Sequence, residues 1–152
     1  MKKQWHLFLT AVMFYTRIPV PKNIHHSDEM LNQSTKYSPF IGWIVGGFGA
    51  LIFYLSLFVF PVSISLILSM IATILLTGPF HEDGFADSCD AFGGGWTKEK
   101  ILEIMKDSRI GTYGSVGLIL ILATKYLSLS TIDVKQIPLV LISAHAFSRY
   151  IA

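Results

Sequence analysis

The chain has 152 residues, of which 52% are hydrophobic and only 14% charged, and its mean hydropathy is +0.54. Soluble domains carry about 25% charged residues, so this composition excludes an ordinary water-soluble domain and predicts a single all-α membrane domain, a polytopic bundle of transmembrane helices. A net charge of +2 gives no reason to expect nucleic acid as a partner, and one cysteine, Cys89, excludes an internal disulfide and any multi-cysteine zinc site.

Met1-Lys2-Lys3 is positive, but the apolar stretch behind it ends at Arg17-Ile18-Pro19 without a small-residue cleavage site, so no cleavable signal is expected. Trp5 to Thr16 is too short to span a bilayer, which needs roughly 20 residues. It reads as an interfacial or re-entrant helix stopped by Pro19 and Pro21. Val20 to Ser38 is polar and holds the adjacent pair His25-His26. Phe40 to Phe60 is a span whose Gly42 and Gly46 form a small-xxx-small pair, the pattern that lets another helix come close. Pro61 marks a tight turn, and Val62 to Phe80 is the second span. His81 to Gly114 is a long polar segment. Val116 to Ile132 reads as a third span, and Pro138 to Ala152 begins a fourth, about four in all. The chain stops inside that apolar helix, just after Arg149-Tyr150, which predicts a fragment of a larger bundle.

Lysine and arginine in the loops set orientation. With the segments before Phe40 and after Phe80 in the cytoplasm, Lys2, Lys3, Arg17, Lys22, Lys36, Lys98, Lys100, Lys106 and Arg109 lie inside, and only Lys135 lies in the opposite loop. Lys125 sits within the third span. If Trp5 to Thr16 crosses the membrane, the Lys2-Lys3 end moves outside.

The chemistry is concentrated after Phe80. His81-Glu82-Asp83-Gly84-Phe85-Ala86-Asp87-Ser88-Cys89-Asp90 holds four carboxylates directly behind an apolar run. On a helix, Asp83, Asp87 and Asp90 stand at i, i+4 and i+7 and share a face, and Glu82, one position off, has a longer reach. Oxygen ligands of this kind suit a hard cation, Mg²⁺ or Mn²⁺. The bland alternative is a solvated acidic helix end. His81 reads as a metal ligand, a general base, or a partner that orients Asp83; a structural role is the alternative. Gly93-Gly94-Gly95 offers unusual backbone freedom and close approach for a phosphate, or a simple hinge.

Lys106-Asp107-Ser108-Arg109-Ile110-Gly111-Thr112-Tyr113-Gly114 forms a second group. Lys106 and Arg109, three apart, would share a helix face, and arginine suits bidentate phosphate recognition. Gly111 and Gly114 would end that helix before the third span. For Lys98 and Lys100 a positive-inside flank is explanation enough. Acids for a metal beside bases for a pyrophosphate suggest phosphoryl or nucleotidyl transfer at a membrane surface. No Walker-type loop occurs, which argues against simple nucleoside triphosphate hydrolysis. A cation transporter or channel is a rival reading, although transport favours acids near the membrane midplane.

These two segments, together with Phe14-Tyr15-Thr16-Arg17-Ile18-Pro19-Val20-Pro21, resemble the signatures of the cobalamin synthase family, the adenosylcobinamide-GDP ribazoletransferases, in register across the whole chain. The resemblance implies a polytopic enzyme of the bacterial inner membrane that joins α-ribazole, or its 5′-phosphate, to adenosylcobinamide-GDP and releases GMP with Mg²⁺. It implies that Glu82, Asp83, Asp87 and Asp90 hold the metal and that Lys106 and Arg109 face the pyrophosphate; from the residues themselves His81, Asp83 and Asp87 are the expected catalytic groups, and Ser108 and Gly94 are expected to join Lys106 and Arg109 at the phosphates. Besides small-molecule substrates, membrane lipids are expected partners, and a homo-oligomer is left open. The acidic pattern is also similar to that of the CDP-alcohol phosphotransferases, but Asp87 stands where those carry arginine. Ala91 stands where a glycine is expected, and family members continue with further helices.

Overall fold

The computed structural model describes every residue except Met1, Lys22, Asn23, His25, His26 and Ala152, so the His25-His26 pair and Lys22 lie outside the described residues. Eight α-helices and one 3-10 turn make up the described chain, and no strand occurs among the described residues. They gather into two compact units, residues 1–78 with 132–152, and residues 79–131.

The first unit begins with α1 (Lys2–Tyr15). Its end is set by Thr16, whose hydroxyl donates to the Val12 carbonyl at 2.7 Å and accepts from the Ile18 amide at 3.2 Å. α2 (Asp28–Ser34) lies in the stretch read as merely polar. Ser27 caps it by accepting the Met30 amide at 3.2 Å, and Asp28 and Glu29 complement the positive end of its dipole. A 3-10 turn, Thr35–Tyr37, leads directly into α3 (Ser38–Ser56), where Pro39 falls in the first turn and its missing N–H costs no hydrogen bond. α4 (Val62–Thr77) follows Pro61, and α8 (Ile137–Ile151) completes the unit.

Glycine decides how closely these helices pack. A Cβ on Gly42 would overlap the backbone at His145 and Ala146 of α8, and one on Gly46 would overlap Leu141 and Ile142. On the α4 side, the Ser69 hydroxyl donates to the Gly49 carbonyl at 2.8 Å, and both groups are buried. Ala11, Val12, Ile41 and Val45 form the buried cluster between α1 and α3. The Ser38 hydroxyl donates to the Arg149 carbonyl at 2.8 Å and satisfies one of the last turn's free acceptors on α8.

The second unit consists of α5 (Phe80–Gly94), α6 (Lys98–Ile104) and α7 (Thr112–Ser130). Thr97 caps α6 through the Lys100 amide. Among the described residues two helical stretches are long and apolar enough to cross a membrane, Asp28–Ser56 and Thr112–Ser130. A third counts only if α4 and α5 are taken together as one broken span, and α8 is a shorter apolar helix of 15 residues. The expected count of four therefore becomes two or three by length and composition. Trp43, Leu51, Ile119 and Leu120 are all at least half exposed, as outward residues of helices in lipid would be.

Candidate functional site

α5 is the element that organises the acids. α4 ends at Gly78, whose φ of 70° is the one positive value among the described glycines. Pro79 then starts the next helix, its carbonyl accepting the Asp83 amide at 2.7 Å. Glu82 and Asp83 fall in the first turn, where the helix dipole favours negative charge. The whole stretch from Phe80 to Gly94 is helical, so Asp83, Asp87 and Asp90 share a face as the spacing predicts. Asp83 is exposed, and Asp87 and Asp90 are half-buried.

Both oxygens of Asp90 accept a backbone amide. Its Oδ2 accepts the Gly111 amide at 2.7 Å and its Oδ1 accepts the Gly114 amide at 2.9 Å. α7 starts at Thr112 behind Gly111, which has no side chain with which to cap it. A carboxylate from α5 therefore supplies both the cap and the charge that this helix end favours. A side chain on Gly111 or Gly114 would strike that carboxylate. Gly114 thus lies inside the first turn of α7 and does not end a helix. Nothing in the local sequence announced this contact; its only trace is two glycines three apart and an acid without a neighbouring base.

The glycine run behaves differently from the reading of unusual backbone freedom. Gly93 is helical and lies against the ring of Tyr113, Gly94 is exposed, and Gly95 packs on Ile101. None has positive φ. Close packing, rather than a strained loop, accounts for Gly93 and Gly95.

The basic group lies between α6 and α7. Lys106, Ser108 and Arg109 are exposed and follow the end of α6, so Lys106 and Arg109 do not share a helix face. Arg109 is instead oriented by Asp107: its Nε donates to Oδ1 at 3.0 Å, its Nη2 to Oδ2 at 2.6 Å, and its backbone amide to Oδ1 at 3.1 Å. The hydrogen-bonded guanidinium holds the Asp107 carboxyl below the usual carboxylate range. Asp107 engages one side of the guanidinium, and the Nη1 donors point away from that pair.

At the start of α5, His81 stacks edge-on with Phe80 at 5.6 Å. Glu82 is a quarter turn off the aspartate face, and its Oε2 is buried with no hydrogen-bond partner. No group of three or more His, Cys, Asp or Glu side chains gathers around a common point among the described residues. The donor set still fits a hard cation. Asp83 and Asp87 stand one turn apart, and Mg²⁺ needs only one or two protein carboxylates when substrate phosphates complete its shell. Each Asp90 oxygen keeps one lone pair beyond its amide bond.

Membrane-length apolar helices together with an acidic helix face and an exposed basic loop define an all-α membrane protein. The cobalamin-5-phosphate synthase model matches residues 7–152, and the chain belongs to that family. It is 48% identical to the adenosylcobinamide-GDP ribazoletransferase of Shewanella amazonensis over 99% of this chain and 59% of that protein. Identity is 54% to the protein of the same name from Leptospira interrogans, covering 85% and 49%, and 46% to that from Vibrio cholerae, covering 100% and 59%. The chain thus spans about half to three fifths of the length of these curated relatives. No solved structure matches it.

Proposed function

We propose that the chain carries the phosphate-handling portion of a Mg²⁺-dependent transferase that joins adenosylcobinamide-GDP to α-ribazole or its 5′-phosphate and releases GMP. The observation that carries this reading is the clasp of Asp90 on Gly111 and Gly114, which holds the acidic face of α5 and the start of α7 in one compact unit, with the Lys106–Arg109 loop leading into it. In the reaction a ribose hydroxyl oxygen of the ribazole forms a bond to the corrinoid-side phosphorus, the bond from that phosphorus to the bridging oxygen breaks, and GMP leaves with the electron pair.

Asp83 and Asp87 would hold the ion, with Asp90 contributing through its remaining lone pairs. The ion, when bound, offsets charge on the pyrophosphate. Arg109 and Lys106 bind the pyrophosphate from the other side, Ser108 donates a hydrogen bond to it, and exposed Gly94 allows close approach. His81 receives the proton of the attacking hydroxyl. The lysines at 98, 100 and 106 favour a cytoplasmic position for the site, where guanosine nucleotides are available, in a bacterial inner-membrane protein.

The test is direct. Membranes holding the full-length protein are incubated with adenosylcobinamide-GDP, α-ribazole and Mg²⁺, and GMP is measured. Release that depends on both substrates and on Asp87 supports the reading. No release from well-inserted protein rejects it.

A further inference from the structure

α5 and α7 run past each other in opposite directions, and their separation changes along the way. At one end they are zipped through glycine: Gly114 lies on the Ala86 carbonyl and Asp90, and Gly117 lies on Cys89 and Phe85. Beyond Gly117 the facing positions of α7 carry large side chains, and a cavity of about 380 Å³ opens between the helices. Such a volume falls in the range of small-molecule sites, roughly 300–1,000 Å³. Phe85, Leu118, Ile121 and Leu122 form apolar walls, and His81, Glu82 and Lys125 bring three ionisable groups to the same space.

Lys125 is the only charged residue of α7, a helix otherwise suited to hydrocarbon. A lysine at such a position is costly and marks a functional path by default. The Glu82 Oε2 is buried and has no hydrogen-bond partner, and an acceptor left so is costly. Apolar walls fit a flat heteroaromatic base, a carboxylate fits ribose hydroxyls, and an ammonium fits a phosphate monoester.

We infer that this cavity receives the nucleoside substrate and that Lys125 is a specificity-determining residue, binding the 5′-phosphate and so favouring the phosphorylated ribazole over the free nucleoside. The inference rests on the proposed reaction. The family name speaks of a 5-phosphate product and the relatives' name of ribazole alone. Of the three ionisable groups in this cavity, Lys125 carries the ammonium that a phosphate monoester would meet.

The experiment measures KM and kcat of the full-length protein for α-ribazole and for α-ribazole 5′-phosphate, with adenosylcobinamide-GDP saturating, in wild type, Lys125→Met and Lys125→Arg. Lys125→Met should raise KM for the 5′-phosphate about tenfold or more, the scale of one lost charge-assisted hydrogen bond, while KM for α-ribazole stays within about twofold. Lys125→Arg should keep the preference. Equal changes for both substrates would make Lys125 merely a counter-charge for Glu82 and overturn the inference, as would no change in either. Should Lys125→Met fail to insert, the wild-type protein provides a second readout, the modification of Lys125 by an amine-reactive ester followed by mass spectrometry. The 5′-phosphate should protect Lys125 at concentrations where α-ribazole does not, and equal protection overturns the inference. Wild-type membranes that release no GMP with either nucleoside sink the proposed reaction together with the inference; turnover of both without discrimination at Lys125 sinks the inference alone.

Discussion

Asp90 and Gly111 stand 21 positions apart in sequence and meet through a 2.7 Å hydrogen bond, the carboxylate Oδ2 accepting the amide at the very start of α7. The second oxygen closes the pair by accepting from Gly114. One side chain thereby fixes the acidic helix to the helix that follows the basic loop.

Removing that clasp should loosen the second unit before it affects chemistry. Asp90→Ala leaves two amides at a helix end without their charged acceptor, which costs about 1–3 kcal/mol. The expected outcome is a lower unfolding midpoint in detergent and faster hydrogen exchange at Gly111 and Gly114, with Asp90→Asn intermediate. Unchanged exchange at those two amides would refute the capping role.

Asp83 and Asp87 should behave in the opposite way. Neither makes a side-chain hydrogen bond among the described residues, so Asp83→Asn and Asp87→Asn should shift stability by no more than about 0.5 kcal/mol, as surface substitutions do. Both should nevertheless abolish GMP release, and EDTA should stop the wild-type reaction until Mg²⁺ or Mn²⁺ is returned. Full turnover in either variant would reject the metal assignment.

Arg109 should lose most of its contribution on truncation and part of it on conservative exchange. Arg109→Ala removes a charged hydrogen bond to the pyrophosphate and should lower the rate about ten- to over a hundred-fold. Arg109→Lys keeps charge without the planar fork and should retain measurable GMP release. The Asp107 pair has a defined pH window. Its carboxyl is held below the ordinary value in the folded chain, so the contact is fully present above that ordinary value and is lost only as pH falls through the lowered one. A change in rate around neutral pH should therefore be the same in Asp107→Asn as in wild type.

Topology is testable with a single cysteine near Lys98. Cys89, half-buried and packed against Gly117, must first be replaced by serine. The new thiol should then be labelled from the cytoplasmic side alone. Labelling from outside intact cells would overturn the orientation and with it a cytosolic nucleotide substrate.

Much of the helical order was legible because its signals are local. Long apolar runs announced α3, α4 and α7, and the Gly42–Gly46 spacing announced a close helix neighbour, found in α8. α2 was missed although Ser27-Asp28-Glu29 carries a cap and a first-turn charge pattern; the polarity of the surrounding stretch masked it. The aspartate face of α5 followed from periodicity alone. The Asp90 clasp, the Asp107 grip on Arg109 and the placement of Lys125 beside Glu82 depend on how chain segments fold back on each other, which periodicity does not encode. The glycine triplet misled for a related reason: a missing side chain serves packing as readily as backbone strain, and only Gly78 uses the latter.

The tight seam between α3 and α8 has a consequence for how the protein is made. Roughly 80 residues separate Ser56 from Ile137, and at roughly 5–20 residues per second the ribosome needs on the order of 4–16 s to supply them. During that interval the groove over Gly42 and Gly46 has no native occupant, while residues 79–131 emerge and can assemble as a unit of their own. The first unit is therefore completed last, by α8. A translational pause or a nascent-chain chaperone acting between residues 57 and 137 would meet a glycine-lined helix open to the wrong neighbour.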